Sequence, residues 1–202
     1  MSELNFEDRI VKQMDKDIVQ KYILLLLNSD ENEIVSGKTK LMKELFFISQ
    51  NIPELDEETD FEPDNYGPSS DVVMGDIEKL DMLHLIKIHN ENYSLTEQGR
   101  KIVQKIISTV GKRELEIIED MKQLFKDLTY HEMLGLVYFS YPEMTEKSLV
   151  KEEIENRREK IALSLLKKGK ISIAKAAEIA DMSMSSFYKM LKKEGIKVEI
   201  GY

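Results

Sequence analysis

The stretch Lys170–Lys193, KISIAKAAEIADMSMSSFYKMLKK, decides how the chain is read. It predicts two short helices joined by a tight turn, the second of them basic. Ser172 is placed to cap the first, because its hydroxyl accepts a bond from an orphan amide in the opening turn. Ile173, Ala176, Ala177 and Ala180 recur at helical spacing and form one apolar stripe, small enough for a partner helix to approach closely. Asp181 belongs to the few non-glycine residue types that tolerate a left-handed backbone, so the helix stops there. Ser183 caps the second helix. Phe187, Met190 and Leu191 then face inward, leaving Met184, Ser185, Ser186, Tyr188, Lys189, Lys192 and Lys193 outside. This is the layout of a helix-turn-helix whose second helix enters the DNA major groove. An ordinary helical hairpin with lysines on its wet face shares the same spacing.

The charge distribution separates this tail from the rest. From Arg157 to Tyr202 there are eleven Lys/Arg and five Asp/Glu, a net of +6; with −9 for the whole chain, residues 1–156 carry −15. Nucleic-acid affinity comes from local neutralisation of phosphates, so an acidic total does not exclude it. The split assigns a basic unit, residues 157–202, to DNA, and an acidic unit, residues 15–156, to other work. With 202 residues, 42% of them apolar, the chain can bury a proper core. Cysteine is absent, which removes disulfides, thiol catalysis and cysteine metal sites and suits a reducing cytoplasm. No apolar run approaches the roughly twenty residues that cross a bilayer, so the chain reads as soluble and cytoplasmic.

Taken in order, residues 1–14 read as a polar, poorly anchored lead-in. Asp15–Leu27 reads as a buried helix, Asn28–Lys38 as a polar loop, and Lys40–Ile52 as a helix buried through Leu41, Leu45, Phe46, Phe47 and Ile48. Gly37-Lys38-Thr39 resembles the end of a phosphate loop, but Asn32 stands where its first glycine belongs and no strand is predicted before it. Glu54–Asp64 holds seven carboxylates whose spacing fits no calcium loop, and reads as a solvated acidic loop. Ser70–Leu83 is predicted helical. Leu85–Ile88 and Tyr93–Leu95, flanking an asparagine-rich turn, make a hairpin. Lys112–Leu128 is amphipathic. Thr129 and Glu132 form a capping box opening a helix over Tyr130–Ser140. Ser148–Lys168 reads as one long helix or as two that break near Asn156, and Lys197–Ile200 as a short strand.

Two resemblances extend this reading. ALSLLKKGKISIAKAAEIADMS and FYKMLKKEGI, between Lys160 and Ile196, resemble a family of small uncharacterised prokaryotic helix-turn-helix proteins often regarded as antitoxin-like; a glycine is usual there where this chain has Asp181. Over Ile18–Lys151, ILLLLNSDENEIVSGKTKLMKELFFI, FEPDNYGPSSDVV, YSLTEQGRKI and TYHEMLGLVYFSYPEMTEKS resemble the YwgA-like winged-helix proteins and, more loosely, the Panacea-type antitoxin domain. Together they imply a mainly α fold: a winged-helix domain with a helical extension, followed by the C-terminal helix-turn-helix.

The would-be reading helix of the first unit, Ser70–Leu83, carries Asp71, Asp76, Glu78 and Asp81 against Lys79 alone, and carboxylates repel phosphates. That unit is expected to dimerise or to hold a protein partner such as a toxin. In the second unit Lys189, Lys192, Lys193, Lys170 and Lys175 are assigned to phosphates. Ser183, Met184, Ser185, Ser186 and Tyr188 lie at the leading end of the reading helix, and the hydroxyls of Ser185, Ser186 and Tyr188 suit base edges. A single hairpin makes few contacts, which points to a homodimer on two half-sites of double-stranded DNA. No cofactor or metal is expected. The motifs of nucleophilic and metal catalysis are missing: after His131-Glu132 the second ligand of a zinc-protease helix would fall on Gly135. The chain is therefore read as a non-enzymatic, DNA-binding regulator, a role that includes the autoregulating antitoxin. The alternative is a protein-binding module that lacks specific DNA recognition.

Overall fold

The computed structural model describes residues 6–196, which form twelve α-helices and two small sheets. In place of a loose lead-in, Phe6–Met14 forms helix α1, which buries Ile10 and Met14. Helix α2 (Ile18–Asn32) is apolar nearly all round from Tyr22 to Leu27 and is buried accordingly. Its last turn breaks where Asp30, Glu31 and Asn32 all take left-handed backbones, pinned by Lys126, which reaches Asp30 at 2.7 Å. Strand β1 (Val35–Ser36) follows inside the expected loop, then helix α3 (Lys38–Ser49). The acidic stretch is not a plain loop. Proline at its first position and carboxylates in its first turn start helix α4 (Pro53–Thr59), and the chain then forms strands β2 (Glu62–Asp64) and β3 (Gly67–Ser69).

Ser70 caps helix α5 (Asp71–Met82) by accepting the amide of Val73. Strands β4 (Ile86–His89) and β5 (Asn92–Leu95) pair through a turn at Asn90 and Glu91, both left-handed, as two-residue hairpins favour. Strand β1 adds antiparallel to β5, giving the order β1-β5-β4. Helix α6 (Glu97–Ile106) leaves this sheet with Gly99 against the Leu85 carbonyl; a Cβ there would collide with that oxygen, so only glycine fits. Helices α7 (Lys112–Phe125), α8 (Tyr130–Ser140), α9 (Lys151–Glu155), α10 (Arg158–Lys167), α11 (Ile173–Ile179) and α12 (Met184–Lys193) complete the chain. The segment before α10 thus breaks at Asn156 and Arg157. The strand expected at Lys197–Ile200 lies outside the described residues.

Two apolar clusters organise these elements. The first gathers α1, α2, α5, α6 and the three-stranded sheet; the second runs from Phe46 and Phe47 through α8, α9 and α10 to Phe187 and Leu191. Helix α3 is the wall between them, sending Leu41, Leu45 and Ile48 to one side and Phe46 and Phe47 to the other. Within the second cluster, edge-to-face contacts of Phe46 and Phe47 with Tyr141 (4.9 and 5.3 Å) and of Phe47 with Phe125 (5.1 Å) tie α3 to the ends of α7 and α8. Beyond its first turn the helix is covered on both sides, and Lys43 and Glu44 are buried with the apolar residues from Leu41 to Ser49. The packing boundary and the charge boundary at residue 156 therefore fall in different places: the second cluster crosses from the acidic half into the basic tail.

Candidate nucleic-acid interface

The tail stands on α8. Gly135 lets α10 approach so closely that a Cβ would meet Ile161 Cγ2 at 2.7 Å, and Ile161, Ala162 and Leu165 are buried there. Helix α11 then lays Ala176, Ala177 and Ile179 into the same cluster, joined by Phe187 and Leu191 of α12. Of the residues the apolar spacing selects, Ala176, Ala177, Ala180, Phe187 and Leu191 are buried and Ile173 and Met190 only partly so, while Ile179, also buried, lies outside the expected stripe.

Helices α10, α11 and α12 end alike. Their last carbonyls are satisfied by a residue in left-handed conformation and its successor, in the pattern of a Schellman turn. Gly169 and Lys170 donate to Leu166 and Leu165, Asp181 and Met182 to Glu178 and Ala177, Gly195 and Ile196 to Lys192 and Leu191. Asp181, at φ 57°, fills a position that glycine holds in the other two turns. The sequence expectation of a left-handed stop at Asp181 holds, as do both serine caps: Ser172 accepts from the Lys175 amide and Ser183 from the Ser186 amide, each at 3.2 Å.

Two side chains fasten the tail to the body, and neither of these tertiary contacts is legible in the sequence. Arg158 Nε donates to the Ile179 carbonyl at 2.6 Å, its Nη1 lies 3.5 Å from Asp181, and its guanidinium sits 5.0 Å over the Phe139 ring. It therefore grips the turn from below while resting on α8. Glu132, which closes the expected capping box with Thr129, also accepts from Ser164 at 2.5 Å and from Lys168 at 2.7 Å. Burial pushes this carboxyl up, but the hydrogen bonds from Lys168, Ser164 and Thr129 together outweigh it and hold it at about 2.

The candidate contacts are arranged as follows. Lys189, Lys192 and Lys193 are exposed and form no ion pair among the described residues. Lys170 and Lys175 differ from them: Lys170 donates to the Gln123 carbonyl at 2.5 Å, and Lys175 pairs with Glu178 at 2.8 Å. Both amines are already engaged within the chain. Met184, Ser185, Ser186 and Tyr188 are exposed on α12, as is the cap Ser183. The hydroxyl of Ser183 also donates to that of Ser186 at 3.0 Å, so these two partner one another.

On α5 the geometry is different. Asp76 is turned inward, where it accepts from Gln20 at 3.0 Å and from Lys79 at 2.8 Å. The exposed charges left on this helix are Asp71, Glu78 and Asp81, with Lys79 committed to Asp76.

Other buried ionisable groups sit in the body. Burial pushes Glu44 up to about 7, opposed by Lys122 at 3.9 Å and Lys40 at 3.7 Å, and neither carboxylate oxygen accepts a hydrogen bond among the described residues. Burial likewise pulls Lys43 down to about 7 while it donates to the Pro68 carbonyl at 2.7 Å. His131 bonds Glu153 at 2.8 Å, and no cluster of three metal-ligating side chains occurs among the described residues. Among the same residues no helix is long and apolar enough to cross a membrane.

In comparisons with known proteins, an uncharacterised protein family, UPF0175, matches residues 136–201, about a third of the chain. The match begins inside α8, one residue after Gly135, and runs through the tail to residue 201. No curated protein and no solved structure matches the chain. The resemblance of Ile18–Lys151 to YwgA-like proteins finds no support in these comparisons.

Proposed function

We propose that the protein is a cytoplasmic, non-enzymatic DNA-binding regulator that reads duplex DNA with α12. The observation that carries this reading is the trio Lys189, Lys192 and Lys193, free of ion pairs among the described residues and presented on one short helix whose opposite face is anchored by Phe187 and Leu191. Lysines at that position neutralise phosphates and set the register, while the leading turn of α12 meets the bases. Lys170 and Lys175 take a smaller part, because each would first have to leave a partner. A homodimer places two such helices on neighbouring half-sites. The order α2, β1, α3, α5, β4, β5, with β1 on β5, supports reading the body as a winged helix carrying an insertion at α4, β2 and β3.

A salt titration of DNA binding by the full chain tests this reading. Replacing Lys189 and Lys192 with alanine should flatten the dependence of log K on log[salt] by roughly two units, about one for each phosphate no longer neutralised. An unchanged slope with retained binding would remove both from the interface.

A second role for the body is favoured by its acidic ridge. Glu54, Asp56, Glu57, Glu58, Asp60, Glu62 and Asp64 are all exposed, and Lys147 stands 4.0 Å from Glu62. Such a surface repels DNA and suits a basic protein partner, as an autoregulating antitoxin would need. Stoichiometric co-purification of a small basic protein from the native host is the expected result; a chain that purifies alone argues against this role.

A further inference from the structure

The reading of α12 as a DNA-contacting helix leaves open which bases it prefers, and the side chains at its leading end narrow the choice. Ser183 spends its O–H on Ser186 and accepts the Ser186 amide, so its hydroxyl is committed to the cap, while Ser186 keeps only an O–H that discriminates little between bases. What remains over the first two turns is Met184, Ser185 and Tyr188. Met184 is 41% exposed and Tyr188 37%, two sizeable apolar surfaces left in water on the face that would meet the groove. They stand four residues apart, so their side chains lie one above the other, about 6 Å along the axis and roughly two base-pair steps.

The base edges of the major groove are donors and acceptors with one apolar exception, the C5-methyl of thymine. A thioether and a phenol ring cannot substitute for the bidentate amide or guanidinium that selects guanine or adenine. Both bury well against a methyl. We propose that Met184 and Tyr188 read thymine methyl groups at two positions about two base pairs apart, which makes the preferred duplex one with T·A pairs under the start of α12. Ser185, between them, contributes a hydroxyl that accepts or donates and discriminates little. This inference rests on the DNA-binding role proposed above.

Deoxyuridine, which lacks only the methyl, provides the test. The full chain is used to select sites from a random duplex pool, and affinities are then measured on the selected site with single thymines replaced by deoxyuridine. Two such replacements should each weaken binding about four-fold, the effect of exposing one buried methyl. Met184→Ala should erase one of the two differences and Tyr188→Ala the other, while Tyr188→Phe, which keeps the ring, should preserve it. Selected sites without thymine at recurring positions, or equal affinity for thymine and deoxyuridine throughout, would overturn the inference and leave the DNA-binding role standing. Failure to enrich any duplex would overturn both together.

Discussion

Helices α5 and α12 are assembled from the same parts. Each begins at a serine whose hydroxyl accepts the amide three residues on, Ser70 from Val73 and Ser183 from Ser186. Each ends in a left-handed residue, His84 or Gly195, whose amide and that of its successor bond back into the last turn. Each is held by buried side chains, Val73, Ile77 and Leu80 on one, Phe187 and Leu191 on the other. They differ in what is left outside. The exposed charges of α5 are Asp71, Glu78, Asp81 and a lysine already paired; those of α12 are three lysines with no ion pair among the described residues. Caps, stops and apolar anchors decide that a helix forms and where it sits. The solvent-facing positions, which contribute little to that outcome, are free to set what the helix can meet.

Phe187→Ala should break the α12 side of this comparison with the largest effect. Deleting a fully buried ring costs roughly 3–5 kcal/mol, and the destabilisation should appear in the main urea transition, because Phe187 belongs to the cluster that reaches Phe46. A small separate transition, with the rest of the chain unaffected, would show that the tail folds independently.

Glu132→Gln probes the joint rather than either helix. A carboxyl held at about 2, against an ordinary value of 4.5, contributes stability that is complete above about 4.5 and fades as the pH falls toward 2. The wild-type chain should therefore lose urea resistance across that window through this group, while the glutamine variant starts lower at neutral pH and loses less on acidification. Parallel pH profiles for the two would count against the bridge.

The smallest effects sharpen the comparison of the caps. Ser70→Ala removes a buried hydroxyl that also donates to the Thr59 carbonyl, and should cost about 1–2 kcal/mol. Ser183→Ala removes an exposed cap and should cost about 0.5–1 kcal/mol. Equal destabilisation in urea unfolding would mean that burial adds nothing to the first cap.

Much of this was legible where local chemistry dictates local shape. The two serine caps, the Thr129–Glu132 box, the β4–β5 hairpin and the stop at Asp181 each follow from a few adjacent residues. Strand β1 leaves no mark in the sequence because two residues show no periodicity, and its pairing with β5 is set by residues nearly sixty positions away. Helix α1 is hard to see in the sequence because only Ile10 and Met14 of its nine residues are buried, too thin a stripe to stand out. Helix α4 reads as loop because carboxylates dominate it, although Pro53 marks its start. The burial of α3 on every side from Leu41 to Ser49 is not legible, since one sequence shows an apolar face but not how many neighbours cover it. Within the candidate interface the exposed lysines were legible, whereas the engagement of Lys170 with Gln123 and of Arg158 with the turn depends on contacts between distant segments.

Arg158 touches α8, the end of α11 and the turn before α12 at once. A side chain so placed turns a flexible joint into a fixed bracket, and the tail points where the body points. Association with a target then gives up little freedom in aiming α12, since that direction is already set when the chain folds. In the proposed homodimer the distance between the two reading helices would likewise be a dimension of the whole molecule, dictated by how the bodies meet rather than by the reach of a tether.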